Sequence, residues 1–187
     1  MCESLQTLKM HTARRFISIS FFVISIFCSN SAFANDLESK IKAVLTYKIL
    51  SYIQFPISPS GLEENIFRIG FSGNDDEFAV FKALEGKKIK GKSISVEPVT
   101  NTNNLALFNG VFISQNSDLP WEKVLTSLKG TSTLTLGETD SFAETGGMIG
   151  FYKFQNKIRF VINKDAAEGS GLKINAQLFR VGKLVGD

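Results

Sequence analysis

Glu138, Asp140 and Glu144 place three carboxylates within seven residues. Paired carboxylates can split glycosides by general acid–base chemistry, and clustered acid oxygens can hold calcium. No D-x-[DN]-x-[DN]-G run accompanies these acids, so the calcium spacing is missing. They fall in a polar connection after a strand, where acids are ordinarily solvated. Gly146, Gly147 and Gly150 are the second candidate, as a phosphate-cradling loop. Such a loop needs a helix behind its glycines, and in one common form a lysine following them. Here Phe151-Tyr152 follows and opens a strand pattern, so the glycines read as a turn. Nucleophile and metal chemistry based on Cys or His is confined to Cys2, His11 and Cys28.

Those three residues lie in a segment with the marks of a secretory signal. Lys9, Arg14 and Arg15 precede an uncharged run, Phe16 to Phe27, and Ser31-Ala32-Phe33-Ala34 supplies a small-residue cleavage site. The run has twelve residues, whereas a membrane span needs roughly 20. Cleavage after Ala34 would leave residues 35–187 as one mature domain with no Cys and no His. Its formal charge becomes +1, from 21 − 3 = 18 basic and 18 − 1 = 17 acidic residues. That balance gives no argument for nucleic acid or an anionic membrane as partner. The mature chain is expected to be soluble and exported, with no membrane span. About 150 residues can bury a core without disulfides. With no triad, dyad or Cys/His zinc site possible, composition favours binding or regulation over catalysis. No catalytic, metal or cofactor residue is assigned.

The elements follow from periodicity. Asp36 to Phe55 reads as a helix capped by Asn35 or Asp36 and stopped by Pro56. Its apolar stripe is Leu37, Ile41, Val44, Leu45, Ile49, Tyr52 and Ile53. Pro56 to Glu64 is a polar loop. Strands are expected at Ile66–Phe71, Ser93–Val99, Gly110–Ser114 and Thr133–Leu136. Helices are expected at Asp75–Leu84 and Leu119–Leu128, with a helical turn at Leu105–Phe108. Glu85 to Lys92 (EGKKIKGK) carries four lysines and reads as a solvated connection, with a partner-docking patch as the alternative. The alternation β-α-β-(α)-β-α-β predicts an α/β fold with a largely parallel sheet and helices on both faces.

Met148–Phe154 and Lys157–Ile162 break that alternation. Two residues separate them, so they must form an antiparallel hairpin around Gln155-Asn156. A two-residue loop pairs Phe154 with Lys157, Tyr152 with Arg159, Phe151 with Phe160 and Ile149 with Ile162. One face then carries Ile149, Phe151, Ile158, Phe160 and Ile162 as core. The other carries Tyr152, Phe154, Arg159 and Val161. Asp165-Ala166-Ala167 suggests a helical turn, and Leu172–Val185 reads as a closing helix with Ile174, Leu178, Val181 and Val185 on one face.

With the elements placed, the chain resembles the YfiR-like periplasmic proteins. The matching stretches include IKAVLTYKILSYIQFP, FRIGFSGNDDEF, GVFIS, FAETGGMIGFY, KIRFVINKDAA and SGLKINAQLFRVG, which together span nearly all of residues 35–187. The resemblance implies a non-enzymatic regulator. It would bind the periplasmic domain of an inner-membrane signalling protein, a diguanylate cyclase in the best-known case, and so limit cyclic-di-GMP and biofilm formation. It also implies a homodimer. The best-known member carries disulfides, whereas the mature chain here has no cysteine, which excludes redox control through its own thiols. Tyr152 and Arg159 on the mixed hairpin face, with Gln177 and Arg180 on the closing helix, are the expected partner contacts. A periplasmic small-solute-binding module is the rival reading, and a carboxylate hydrolase using Glu138, Asp140 and Glu144 is the third.

Overall fold

The computed structural model describes residues 30–56, 65–139 and 141–186, with the backbone alone for residues 30–35. Most of the expected signal segment, the loop 57–64 and Asp140 lie outside the described residues. Residues 38–187 form one compact unit.

Helix α1 (Asn30–Tyr52) leads into the short strand β1 (Ile53–Gln54), then β2 (Ile66–Ser72) and α2 (Asp75–Lys82). A hairpin of β3 (Lys88–Ile89) and β4 (Lys92–Pro98) follows. Next come a 3-10 turn (Leu105–Leu107), β5 (Gly110–Ile113), α3 (Trp121–Ser127) and β6 (Leu134–Gly137). The long hairpin is β7 (Ile149–Phe154) and β8 (Lys157–Ile162). The chain closes with α4 (Lys164–Gly169), β9 (Lys173–Ile174), α5 (Ala176–Phe179) and β10 (Lys183–Leu184).

The main sheet has the order β10-β8-β7-β6-β5-β2-β4-β3. Its interior pairs β4-β2, β2-β5, β5-β6 and β6-β7 are parallel, and β7-β8 is antiparallel. The fold is therefore the expected α/β sheet closed by an antiparallel hairpin. Parallel strands need crossovers long enough to hold helices, and these cover the two faces. One face packs against α1, α2, α4 and α5, through Leu50, Phe81, Ala167 and Leu178. The other packs against α3 and the 3-10 turn through Val124 and Leu105. The first core holds a line of rings, Phe81–Phe112–Phe151–Phe160, with successive centroids 4.5, 5.7 and 6.3 Å apart.

Local chemistry sets several boundaries. Asn74 accepts from the Glu77 N–H at 2.9 Å, and the Glu77 carboxylate accepts from the Asn74 N–H at 3.4 Å. This is a capping box that starts α2. The β7-β8 register is the one the two-residue loop requires, Tyr152 opposite Arg159 and Phe151 opposite Phe160. Gln155 and Asn156 both take positive φ, 48° and 57°, which fits a type I′ turn. Gly146 and Gly147 lie in the turn before β7. A Cβ at Gly147 would sit 2.2 Å from a ring carbon of Phe142 and 2.6 Å from its carbonyl oxygen. Close packing of the turn on Phe142 therefore demands glycine there.

Four local expectations are corrected. First, α1 begins by Asn30, so Asn35 and Asp36 lie inside it and do not cap it, and it ends at Tyr52. Second, its buried face is Ser39, Lys42, Ala43, Thr46, Ile49 and Leu50, continued by Ile53 of β1, whereas Leu37, Ile41, Val44 and Tyr52 are exposed. Both rows repeat at helical spacing; the sheet takes the row that brings Lys42 to a buried carboxylate. Third, the lysine-rich connection forms the β3-β4 hairpin. Ile89 is buried, and the Lys90 ammonium donates to the Ile53 carbonyl and lies over the Phe55 ring. Fourth, Leu172–Val185 is not one helix. Ile174 pairs with Ile53 in a two-stranded sheet, Asn175 caps the single turn of α5 by accepting from the Gln177 N–H, and β10 pairs with β8. Gly182 permits that last pairing, since a Cβ there would lie 2.4 Å from the Phe160 ring.

Candidate partner-binding groove

The far end of the sheet, where α1, the hairpin and the C-terminal segment meet, carries two adjoining surface depressions. The first, about 360 Å³, is walled by Leu45, Lys48, Ile49 and Tyr52 of α1. Opposite them stand Ile158, Arg159 and Phe160 of β8, with Gln177, Leu178 and Val181 closing the C-terminal side. The second, about 330 Å³, is lined by Tyr152, Phe154, Arg159, Phe160 and the run Arg180–Lys183. Arg159, Phe160 and Val181 belong to both, so the depressions make one groove.

Each wall follows from local structure. The pleat sends Ile158 and Phe160 to the helix-covered face and Tyr152 and Arg159 to the other. Phe160 is buried and forms the floor, because Gly182 lets the C-terminal segment press onto its ring. Val181 and Phe154 stand out into solvent at 64% and 55% exposure. Lys48, Arg159, Arg180 and Lys183 give the groove a basic rim around this apolar surface.

The structure thus brings all four sequence-predicted contact residues into one region. Tyr152 and Arg180 line the second depression, Gln177 the first, and Arg159 both. Sequence reasoning missed the α1 wall, Leu45, Lys48 and Tyr52, having read Leu45 and Tyr52 only as part of the helix's apolar stripe. The signal was present: α1 carries more apolar residues than one buried face can hold, so some had to remain exposed.

A second polar cluster lies where α1 crosses the end of β6. Glu138 follows β6 and its side chain is only 5% exposed, so it is not the solvated loop acid expected. The Lys42 ammonium lies 3.1 Å from Glu138 and 2.8 Å from Glu38, and Lys153 reaches Glu38 at 2.9 Å. Gln115 N–H also donates to Glu138 at 3.3 Å. Burial pushes the Glu138 carboxyl above the usual carboxylate range, with Lys42 pulling it back in part. For Lys42, burial lowers the ammonium but Glu38 and Glu138 outweigh it, so its net shift is upward. One ammonium serves two carboxylates, so it cannot fully offset the burial of Glu138. Glu144 is exposed on the following turn, so the acids expected to act together occupy unlike environments. Among the described residues, no three His, Cys, Asp or Glu side chains are grouped to hold a metal, and no helix is long and apolar enough to cross a membrane.

Fold and groove define a class: a mainly parallel α/β domain that carries an open, basic-rimmed apolar groove at one end of its sheet. The DUF4154 family model, described as YfiR/HmsC-like, matches residues 39–183. The chain belongs to that family, which is regulatory rather than catalytic. No curated protein matches the chain. Among solved structures it is similar to the ABC domain in complex with L-Trp from Streptococcus pneumonia, with 16% identity and a TM-score of 0.48. The similarity covers 66% of this chain and 57% of that chain.

Proposed function

We propose that the protein is a periplasmic regulator that binds the periplasmic domain of an inner-membrane diguanylate cyclase and holds it inactive, limiting cyclic-di-GMP and biofilm formation. Membership of the YfiR/HmsC-like family over residues 39–183 carries this reading. Support for export comes from the signal-like first 34 residues and from a family match that begins only at Ser39. In this reading the signal is cleaved there and the mature chain acts as a homodimer. Tyr152, Arg159, Gln177 and Arg180 contact the partner through the groove. Inhibition requires that the regulator bind the inactive cyclase more tightly than the active one, because equal affinity shifts no population.

Deletion of the gene tests the reading directly. Cyclic-di-GMP and surface attachment should rise, and return when the wild-type chain is restored; unchanged levels refute it. Arg159→Glu and Arg180→Glu should fold normally yet fail to restore repression. The rival small-solute module draws on the first depression, whose volume is near the low end of ligand pockets, roughly 300–1,000 Å³. A metabolite that raises the melting temperature, and does so less in Tyr52→Ala, would favour that reading.

A further inference from the structure

We propose that the open edge of β8 is a strand-addition site for an extended, acidic segment of a partner protein. β10 pairs with β8 at Val161 and Ile162 through the outward main-chain groups of Phe160 and Ile162, so Lys157–Arg159 has β7 on one side and no paired strand on the other among the described residues. The Val185 N–H donates to the Ile162 carbonyl at 3.0 Å, which shows that the Ile162 peptide groups face away from β7. Alternation gives Phe160 and Ile158 the same direction. Ile158 lies farthest from β10, and its main-chain groups point off the sheet edge.

The surroundings fit an added strand. Ile158 and Phe160 face one side of the sheet, Tyr152 and Arg159 the other, and a depression opens beside each set. A strand laid along this edge would send alternate side chains toward the two depressions, the pattern by which strand addition gains specificity. Charge selects the occupant. Lys157, Arg159, Arg180 and Lys183 are basic, whereas the nearby Lys153 is already tied to Glu38. A second copy fits poorly, because two-fold antiparallel pairing of Ile158 with Phe160 sets Arg159 opposite its own copy, and like charges directly opposed are destabilising. These charges block self-pairing of an otherwise open edge and complement an acidic strand.

This deepens the regulatory reading by naming how the partner is engaged, and it rests on that reading only for the partner's identity. The probes are a heptapeptide alternating Glu with Val and Phe, its Lys-for-Glu counterpart, and two copies of the Glu peptide N-methylated at odd or at even residues. Binding is read by titration calorimetry and by amide hydrogen exchange on the full chain. The Glu peptide should bind and slow exchange at Ile158. The Lys peptide and the variant Arg159→Glu should each weaken binding by about tenfold or more. One methylated copy should lose binding and the other keep it, since only alternate amides face the edge. No binding by the Glu peptide, equal binding by the Lys peptide, equal behaviour of the methylated copies, or protection elsewhere would each overturn the proposal. Raised cyclic-di-GMP on deletion without peptide binding sinks the edge site alone. Edge binding with unchanged cyclic-di-GMP sinks the regulatory reading alone.

Discussion

Replacing Lys42 with Met keeps much of the side chain's length and removes its charge. The Lys42 side chain is 8% exposed and that of its partner Glu138 is 5% exposed, so the variant leaves a buried carboxylate without its cation. Breaking a buried pair in this way costs about 3–5 kcal/mol. For a chain of this size each kcal/mol moves the melting temperature by about 2–4 °C, so Lys42→Met should melt roughly 6–20 °C lower at pH 7. The pH dependence supplies a signature that simple misfolding would not. Burial already raises the Glu138 carboxyl above 4.5, and losing Lys42 raises it further. A group raised in the folded state favours folding most below its unfolded value and loses that contribution as pH rises through the folded value. The Lys42→Met defect should therefore be largest near neutrality and shrink toward pH 4.5. The double variant Lys42→Met/Glu138→Gln should recover to within about 1 kcal/mol of wild type. Thermal melts by circular dichroism between pH 4.5 and 8 would measure this. A loss under 1 kcal/mol that does not vary with pH would refute the buried-pair argument.

Lys42 is itself held above 10.5. Its contribution is present below that value and lost as pH rises through the folded value, so the wild-type advantage over Lys42→Met should fade in strongly alkaline solution. Gly147→Ala should lose about 1–3 kcal/mol in denaturant titration, because its Cβ meets both the ring and the backbone of Phe142. Asn74→Ala removes the cap that accepts from the Glu77 N–H and should cost about 0.5–2 kcal/mol by the same measurement. Changing Gln155-Asn156 to Asn-Gly suits the positive φ at both positions and should raise the melting temperature, with partner repression unchanged.

The residues of the central strands and hairpin determine much by themselves. Short apolar runs separated by turn residues specify β2, β4, β5 and β6. Two residues between two apolar runs leave only an antiparallel hairpin, and the loop length fixes its register. These signals are local, so they could be read in order along the chain. Other features rest on competition between distant segments. The stretch Leu172–Val185 has helical spacing, yet Ile174 finds Ile53, and Gly182 lets the chain settle on Phe160. Tertiary pairing there outweighs a weak local preference. In α1 two rows repeat at helical spacing, and the row that faces the sheet is the one carrying Lys42, which meets the buried Glu138. That choice left Leu45, Lys48 and Tyr52 to form one wall of the groove. The sequence alone thus determined strands β2 and β4 to β8, the hairpin among them, and the lack of thiol and imidazole chemistry after Ala34. Only the tertiary structure decided which helix face is buried, where Glu138 lies, and that Tyr152, Arg159, Gln177 and Arg180 share one region. The reason is physical: periodicity records that a face is apolar, whereas burial depends on what the rest of the chain brings against it.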